Sequence, residues 1–426
     1  MKEFYLKPKI LSTLKDYSGQ QFTKDLIAGI IVAIIALPLS IALALASGAQ
    51  PQQGIYTAIF AGFTVALLGG SNIQIAGPTA AFATIVAGII GSQGMEGLIL
   101  STLMAGVILI IMGVCKLGGL IKFVPPTITV GFTSGIAVTI LIGQIKDFLG
   151  ITYRIGTVAI ETFEKIEANI NAIGTFNWKA LVIGVICLAI LIVYPRFEKR
   201  VPPSLIAVIV AVLMVKFIPI FSDVSTIGAL YPDIKAGFPR FTLGSLNFNK
   251  VMVLAALPNA FTIAILAGIE SLLSCVVADK MVNSKHNPNA ELVAQGAGNM
   301  LSVMFGGIPA TGAIARTAAN AKNGGKTPVA GIVHAFVLLL VILILLPLAK
   351  LIPMPAIAAI LFMVAYNMSE WREFLIIVKT SKWHDVLVLV VTFLLTVIFD
   401  LVVAIVVGLV LHFAFVIIKK FIEKKE

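Results

Sequence analysis

The sequence predicts an all-α polytopic membrane protein, and three observations carry that expectation: composition, the spacing of apolar runs, and an internal repeat. Hydrophobic residues make up 59% of the 426 and charged residues 12%. Mean hydropathy is +1.04, more apolar surface than a water-soluble core can hide. A helix crossing a bilayer needs ~20 mostly apolar residues, and short polar breaks divide the chain into runs of about that size.

The first run follows a basic N-terminal segment, residues 1–24, that holds Lys2, Lys7, Lys9, Lys15 and Lys24 and has no small-residue cleavage site, so the run reads as a retained span. Seven runs near 26–47, 52–69, 78–91, 97–114, 124–146, 178–194 and 203–220 make a first unit, residues 25–220. A connector at 221–250 leads to seven more near 251–278, 290–306, 313–321, 328–347, 354–368, 385–399 and 401–418, a second unit at 251–418. A basic stub, 419–426, closes the chain with Lys419, Lys420, Lys424 and Lys425.

Fourteen crossings put both termini in the cytoplasm together with the loops holding Lys116 and Lys122, Arg196 to Arg200, Lys280 and Lys285, Lys322 and Lys326, and Arg372 to Lys382. That is the positive-inside arrangement, and the two longest loops, near 147–177 and 220–250, fall outside, where charge constrains them less. The net charge of +11 thus reflects topology, and no nucleic-acid partner is expected.

The halves resemble each other. Ala61-Gly-Phe-Thr-Val-Ala-Leu-Leu-Gly-Gly70 aligns with Gly298-Asn-Met-Leu-Ser-Val-Met-Phe-Gly-Gly307, and Leu120-Ile-Lys-Phe-Val-Pro-Pro126 with Leu348-Ala-Lys-Leu-Ile-Pro-Met-Pro355, at nearly the same offset. An odd number of spans per half inverts the second half, giving a seven-plus-seven inverted repeat. In each half the third span is too short and too broken for a full helix. Ser71 to Ala76 favours extended chain before Gly77-Pro78-Thr79, a helix start, and Gly306-Gly-Ile-Pro-Ala-Thr-Gly-Ala-Ile-Ala-Arg-Thr317 repeats the arrangement. The third and tenth segments are therefore read as extended chain to mid-membrane followed by a half-helix. Irregular backbone at that depth survives only against protein or a water-filled cavity. Two opposed half-helix N-termini, near Thr79 and Ile314, would each carry free N–H groups and about half a positive charge, so an anion is the natural ligand. The alternative is a pair of ordinary Gly/Pro kinks.

Cys115, Cys187 and Cys275 lie far apart in apolar runs and read as small hydrophobes. No cluster has metal-ligand spacing, and no P-loop or nucleophile motif is present, so neither an enzyme, a cofactor nor a metal is expected.

The quoted segments, with Asp25-Leu-Ile-Ala-Gly-Ile-Ile-Val-Ala-Ile-Ile-Ala-Leu-Pro-Leu-Ser-Ile-Ala-Leu-Ala44, Gly54-Ile-Tyr, Gln74-Ile-Ala-Gly-Pro-Thr-Ala-Ala-Phe82 and Glu270-Ser-Leu-Leu-Ser274, closely resemble SulP (sulfate permease) transporters, also called solute carrier family 26. The resemblance covers essentially the whole chain. It implies a core domain from the first four spans of each half, a gate domain from the rest, elevator-like movement and a homodimer. It also implies substrate between the third and tenth spans beside the first and eighth, with contacts at Leu39, Leu43, Thr79, Ala80, Glu270, Ile314, Ala315 and Arg316. Many members continue into a cytoplasmic sulfate-transporter and anti-sigma-factor antagonist (STAS) domain, whereas this sequence stops at Glu426. Animal members have polar or aromatic residues in place of Leu39 and Leu43 and a serine in place of Ala315, which shifts anion contacts here toward backbone N–H groups. Sodium-coupled bicarbonate members have Asp, Thr and a further Thr in place of Glu270, Ser274 and Ile314, so Ser274 reads as the remnant of a cation site.

Glu270 interrupts Ala264-Ile-Leu-Ala-Gly-Ile-Glu-Ser-Leu-Leu. An ionised carboxylate at such depth costs at least ~2.5 kcal/mol unless neutralised or paired, which suits a proton carrier, the alternative being a structural hydrogen bond. Arg316 could attract the anion or pair with Glu270. Gln74 either lines the cavity edge or bonds backbone, Asp279 marks a helix end, Asp400 an external turn, and His334 reads as a packing residue.

The sequence thus predicts a secondary active transporter in a bacterial-type inner membrane, carrying a small oxyanion, sulfate first, with the proton ahead of sodium as coupling ion. A bicarbonate or C4-dicarboxylate symporter and an uncoupled anion channel are the alternatives.

Overall fold

The computed structural model describes residues 6–15, 17–119, 125–154, 157, 159–198, 201–232, 234, 237–242, 250–399 and 401–423. Lys2, Lys122, Lys199, Arg200, Asp400, Lys424, Lys425, the Leu120 to Val124 part of the second repeat match and part of the 221–250 connector lie outside the described residues.

A single turn, α1 (Ile10–Thr13), precedes α2 (Gly19–Ala46), whose start is fixed by Ser18 accepting the Gln21 amide N–H. α3 (Pro51–Leu68) begins with proline in the first turn, where a missing N–H costs nothing. Extended chain then leads through β1 (Ala76–Gly77) to α4 (Ala80–Val114). α4 has two legs, because Gly94 at φ 70°, ψ −175° adopts a backbone open essentially to glycine. α5 (Pro126–Leu149), α6 (Thr162–Asn171), α7 (Trp178–Val193), α8 (Pro203–Phe217) and α9 (Ile227–Leu230) complete the first half. α10 (Lys250–Val282), α11 (Pro288–Met304), β2 (Thr311–Gly312), α12 (Ile314–Lys322) and α13 (Val329–Ile344) repeat the order of α2, α3, β1 and α4. α14 (Met354–Met368), α15 (Trp371–Thr380), α16 (Trp383–Ile398) and α17 (Leu401–Glu423) follow.

Among the described residues, Gly19–Ala46, Ala80–Val114, Pro126–Leu149, Trp178–Arg196 and Lys250–Val282 are long and apolar enough to cross a membrane, and several shorter apolar helices accompany them. Their outward residues suit lipid: Phe63, Ile111, Ile209, Phe336 and Val410 are all exposed.

Helix packing sorts into two groups. α11 lies against α3 and α4, α10 against α4 and α12, and α13 against α2 and α3. A second group joins α5 to α14 and α16, α16 to α17, and α7 to α14 and α8. Small residues set one close crossing. A Cβ on Gly106 of α4 would lie 2.7 Å from the Gly296 carbonyl of α11, and one on Gly296 2.5 Å from the Gly106 carbonyl, so these backbones touch.

Candidate functional site

β1 and β2 come from corresponding places in the two halves and pair with each other, antiparallel, with Ala76 opposite Gly312 and Gly77 opposite Thr311. Ala313 N–H donates to the Ile75 carbonyl at 2.8 Å and extends the ladder. An antiparallel crossing sends the two chains away in opposite directions. α4 therefore starts at one end of the ladder and α12 at the other, each with its N-terminus turned toward the crossing. The first leg of α4, residues 80–93, is roughly 21 Å long and α12 roughly 14 Å, each short of a ~30 Å hydrocarbon layer.

Side chains satisfy the extended backbone. Asn299 brackets Ala310, donating to its carbonyl at 2.9 Å and accepting its N–H at 2.8 Å. Thr57 accepts the Ile308 N–H at 2.7 Å, and Ser302 donates to the Ile308 carbonyl at 2.7 Å. Asn320 donates to the Ile73 carbonyl at 2.9 Å, and Thr317 accepts the Ile75 N–H at 3.0 Å. Every one of these side chains is buried, which is the condition for irregular backbone in an apolar surround.

Glu270 of α10 binds both segments at once. Its Oε2 accepts the Thr79 hydroxyl at 3.0 Å and the Thr311 hydroxyl at 2.9 Å. Thr79 is the N-cap residue of α4, yet it gives its own helix no side-chain hydrogen bond, and neither does Ala313, the N-cap of α12. The first N–H groups of both helices, which have no intrahelical acceptor, are thus left uncapped around the crossing. Ile314, 44% exposed, opens the α12 start to an adjoining space, and Ala315 is exposed beside it. Uncapped amides and two helix N-termini turned toward the crossing make its surroundings electropositive.

The structure brings Thr79, Ala80 and Glu270 together at the β1 end of the ladder, and Ile314 and Ala315 form the α12 start. Arg316 is turned away from that start: 1% exposed, it donates from Nη2 to the Pro78 carbonyl at 2.6 Å. Among the described residues Arg316 forms no ion pair with Glu270. Leu39 and Leu43 lie on α2, which packs against both α4 and α12; Leu43 is buried and Leu39 half-buried. Ser274 is buried, its hydroxyl 3.5 Å from that of Thr317. Gln74 donates to the Ser271 carbonyl and to Glu291, away from open space. Asp279 gathers the Ser284 hydroxyl and the His286 backbone and ring nitrogens at the end of α10.

Sequence reasoning missed three residues. Thr311 is the second donor to Glu270 and was quoted only as part of a motif. Glu291, fully buried, accepts from Gly70 N–H, Gln74 and Gln295 at 2.9 to 3.0 Å and ties α11 to the approach to β1. Its place in the first turn of α11, just after the polar stretch 284–289, is an ordinary one for an acid, so no local signal marked its burial. Asp25, also fully buried, collects Tyr17, Gln21, Lys326 N–H and the Thr327 hydroxyl, tying the start of α2 to the loop after α12. Burial, with Asp25 beside it, pushes the Tyr17 phenol up to about 12.

A crevice runs beside this site, between the two helix groups. One cavity of about 340 Å³ joins Thr84 of α4 to Thr139 and Asp147 of α5 and Lys165 of α6. A second, about 700 Å³, shares Thr84, Thr139 and Lys165 and reaches α10 at Asn259 and Thr262.

The profile of the sulfate permease family matches residues 22–392. A Bacillus subtilis (strain 168) protein named "Putative sulfate transporter YvdB" is 46% identical over 364 residues, covering 84% of this chain and 67% of the relative. The "Bicarbonate transporter BicA" of Picosynechococcus sp. is 35% identical over 360 residues, covering 82% of this chain and 62% of the relative. The chain thus spans about two thirds of the length of these curated relatives. Among solved structures, the transmembrane domain of a cyanobacterium bicarbonate transporter BicA superposes with a TM-score of 0.79 at 29% identity, covering 91% of this chain and 98% of that one. A murine Solute Carrier 26 family member A9 anion transporter shares the fold, with a TM-score of 0.86 at 20% identity over 98% of this chain and 72% of that one.

Proposed function

This chain belongs to the sulfate permease family of multi-pass membrane anion transporters, which are not enzymes, and from that premise we propose that it is a secondary active transporter of a small inorganic oxyanion, sulfate first, coupled to protons through Glu270. The observation that carries the proposal is the crossing of β1 and β2, where two uncapped helix starts converge and one carboxylate holds both segments. The anion sits between the α4 and α12 N-termini, against Thr79, Ala80, Ile314 and Ala315, with Leu39 and Leu43 of α2 as an apolar wall. Arg316 acts from behind, through the Pro78 carbonyl it holds.

In this reading the chain crosses the membrane fourteen times as a seven-plus-seven inverted repeat, with both termini cytoplasmic. The first helix group is a core that moves past the second, a gate, in elevator fashion, within a homodimer. The separate packing of the two groups and the crevice between them support that division. Sodium ranks behind the proton because the Ser274 hydroxyl is turned to Thr317 and Ile314 offers no side-chain oxygen.

Proteoliposomes loaded at neutral pH and diluted into acidic medium with labelled sulfate provide the test. Accumulation above equilibrium, driven by the pH gradient and abolished in Glu270→Gln, is expected; unchanged gradient-driven uptake in that variant would falsify the coupling role. A bicarbonate transporter is the second reading, favoured by the likeness to the bicarbonate transporters. Competition of bicarbonate and fumarate against labelled sulfate separates them. Equilibration without accumulation under every gradient would overturn the coupled reading and favour uncoupled conduction, as in a channel.

A further inference from the structure

Arg316 commits one N–H group, on Nη2, to the Pro78 carbonyl. Its Nε and Nη1 groups are buried and meet no acceptor among the described residues. His334, on α13, is fully buried, and neither ring nitrogen has a partner among the described residues. The two side chains approach the same stretch of α3 behind β1. A Cβ on Gly77 would lie 2.3 Å from Arg316 Nη1 and 3.4 Å from Ala58 Cα, while one on Gly62 would lie 3.2 Å from the Ala76 carbonyl and 3.7 Å from His334 Cδ2. Ala58 and Gly62 are one turn apart on the same face of α3. The guanidinium and the imidazole therefore flank a single turn of α3.

A guanidinium offers only donors, whereas a neutral imidazole offers one donor and one acceptor. A buried charged donor without an acceptor carries the full desolvation penalty of that group. No carboxylate among the described residues forms an ion pair with Arg316, and the carboxylate of Glu270 is engaged by Thr79 and Thr311. Polar groups in this situation are met by ordered water with two to four hydrogen-bonding partners. We propose that Arg316 and His334 share a buried hydration site behind β1, and that His334, through this water, holds the guanidinium on Pro78 and so positions the start of α4 for the anion. His334 is then a positioning residue. It touches no substrate, and its effect reaches the anion only through Arg316. The proposal rests on the reading of the α4 and α12 starts as the anion site.

Two measurements on the full chain test it. In a cryo-electron microscopy map that resolves ordered water, density within hydrogen-bonding distance of both Arg316 and His334 is expected, and its absence overturns the hydration site whatever the protein transports. In sulfate uptake kinetics, His334→Leu raises the apparent KM about tenfold, the worth of a hydrogen bond to a charged group, with the maximal rate little changed. His334→Gln, which keeps an acceptor, stays within about threefold of wild type. In an Arg316→Gln background His334→Leu has no further effect. An unchanged KM in His334→Leu, or an equal effect with and without Arg316, overturns the positioning role. Failure of the wild-type protein to take up any oxyanion would instead sink the transport reading and leave the water density to be judged alone.

Discussion

Replacing Gly77 with alanine tests whether Arg316 braces the α4 start. The added Cβ would stand 2.3 Å from Arg316 Nη1 and 3.4 Å from both Arg316 Cζ and Ala58 Cα. The first distance is more than ~1 Å short of an ordinary contact. Ala58 is backbone on a packed helix and cannot give way, so the guanidinium must. Arg316 is 1% exposed, and a shift of ~1 Å along the bond ends the 2.6 Å contact from Nη2 to the Pro78 carbonyl. A hydrogen bond to a charged group contributes about 1.5–3 kcal/mol, which corresponds to roughly ten- to a hundredfold in any property that depends on it. If Arg316 positions the α4 start, that loss falls on anion affinity. Labelled sulfate uptake by Gly77→Ala in proteoliposomes should show KM raised by that factor, with the protein still monodisperse in detergent. Substitution at nearby Gly88, where a Cβ meets nothing within 4 Å, should leave KM unchanged. Wild-type KM in Gly77→Ala would refute the argument that Arg316 acts through Pro78.

Other consequences follow from the same contacts. Asn299→Ala leaves both backbone groups of Ala310 unpaired and should destabilise the protein by about 2–6 kcal/mol, at ~1–3 kcal/mol per orphaned group, seen as a lower thermal-melt midpoint in detergent. Glu291→Gln swaps one acceptor for a donor facing Gly70 N–H or the Gln74 and Gln295 amides, and a loss of about 1.5–3 kcal/mol should appear in the same melt. A melt like that of wild type would mean another group satisfies those donors. Asp25→Ala frees the loop at Lys326 and Thr327, so limited proteolysis should cut there faster than in wild type. The Tyr17 phenol, pushed up to about 12 from 10.0, favours the folded state fully below pH 10, and that contribution declines as pH rises from 10 through 12. Tyr17→Phe should remove this alkaline step from melts run against pH.

Much of the helical order is carried by composition and local signals. The apolar runs coincide with helices because the bilayer leaves backbone no other way to satisfy its polar groups. Gly-Pro-Thr at 77–79 and the Gly306 to Thr317 segment read as extended chain followed by a helix start, and the helices begin at Ala80 and Ile314. Glu270 stands out in the sequence because an acid in an apolar run is costly.

What the chain alone could not specify was the partner of those polar groups that join the two halves, since such partners lie about 190 to 300 residues apart and depend on how the halves dock. Thr79 pairs with Glu270 across |i−j| of 191, and Asp25 with Thr327 across 302. The pairing of β1 with β2, two residues long, leaves no periodic trace in sequence. Arg316 was legible as a charge beside the site, yet only packing set its direction. The small side of Gly77 leaves space for a guanidinium behind the strand, and the Pro78 carbonyl, which faces the same way, gives it an acceptor. Hydropathy fixed which segments avoid water; docking of the halves decided which buried polar atoms meet, because hydrogen bonds act over about 3 Å and so depend on positions no one-dimensional pattern encodes.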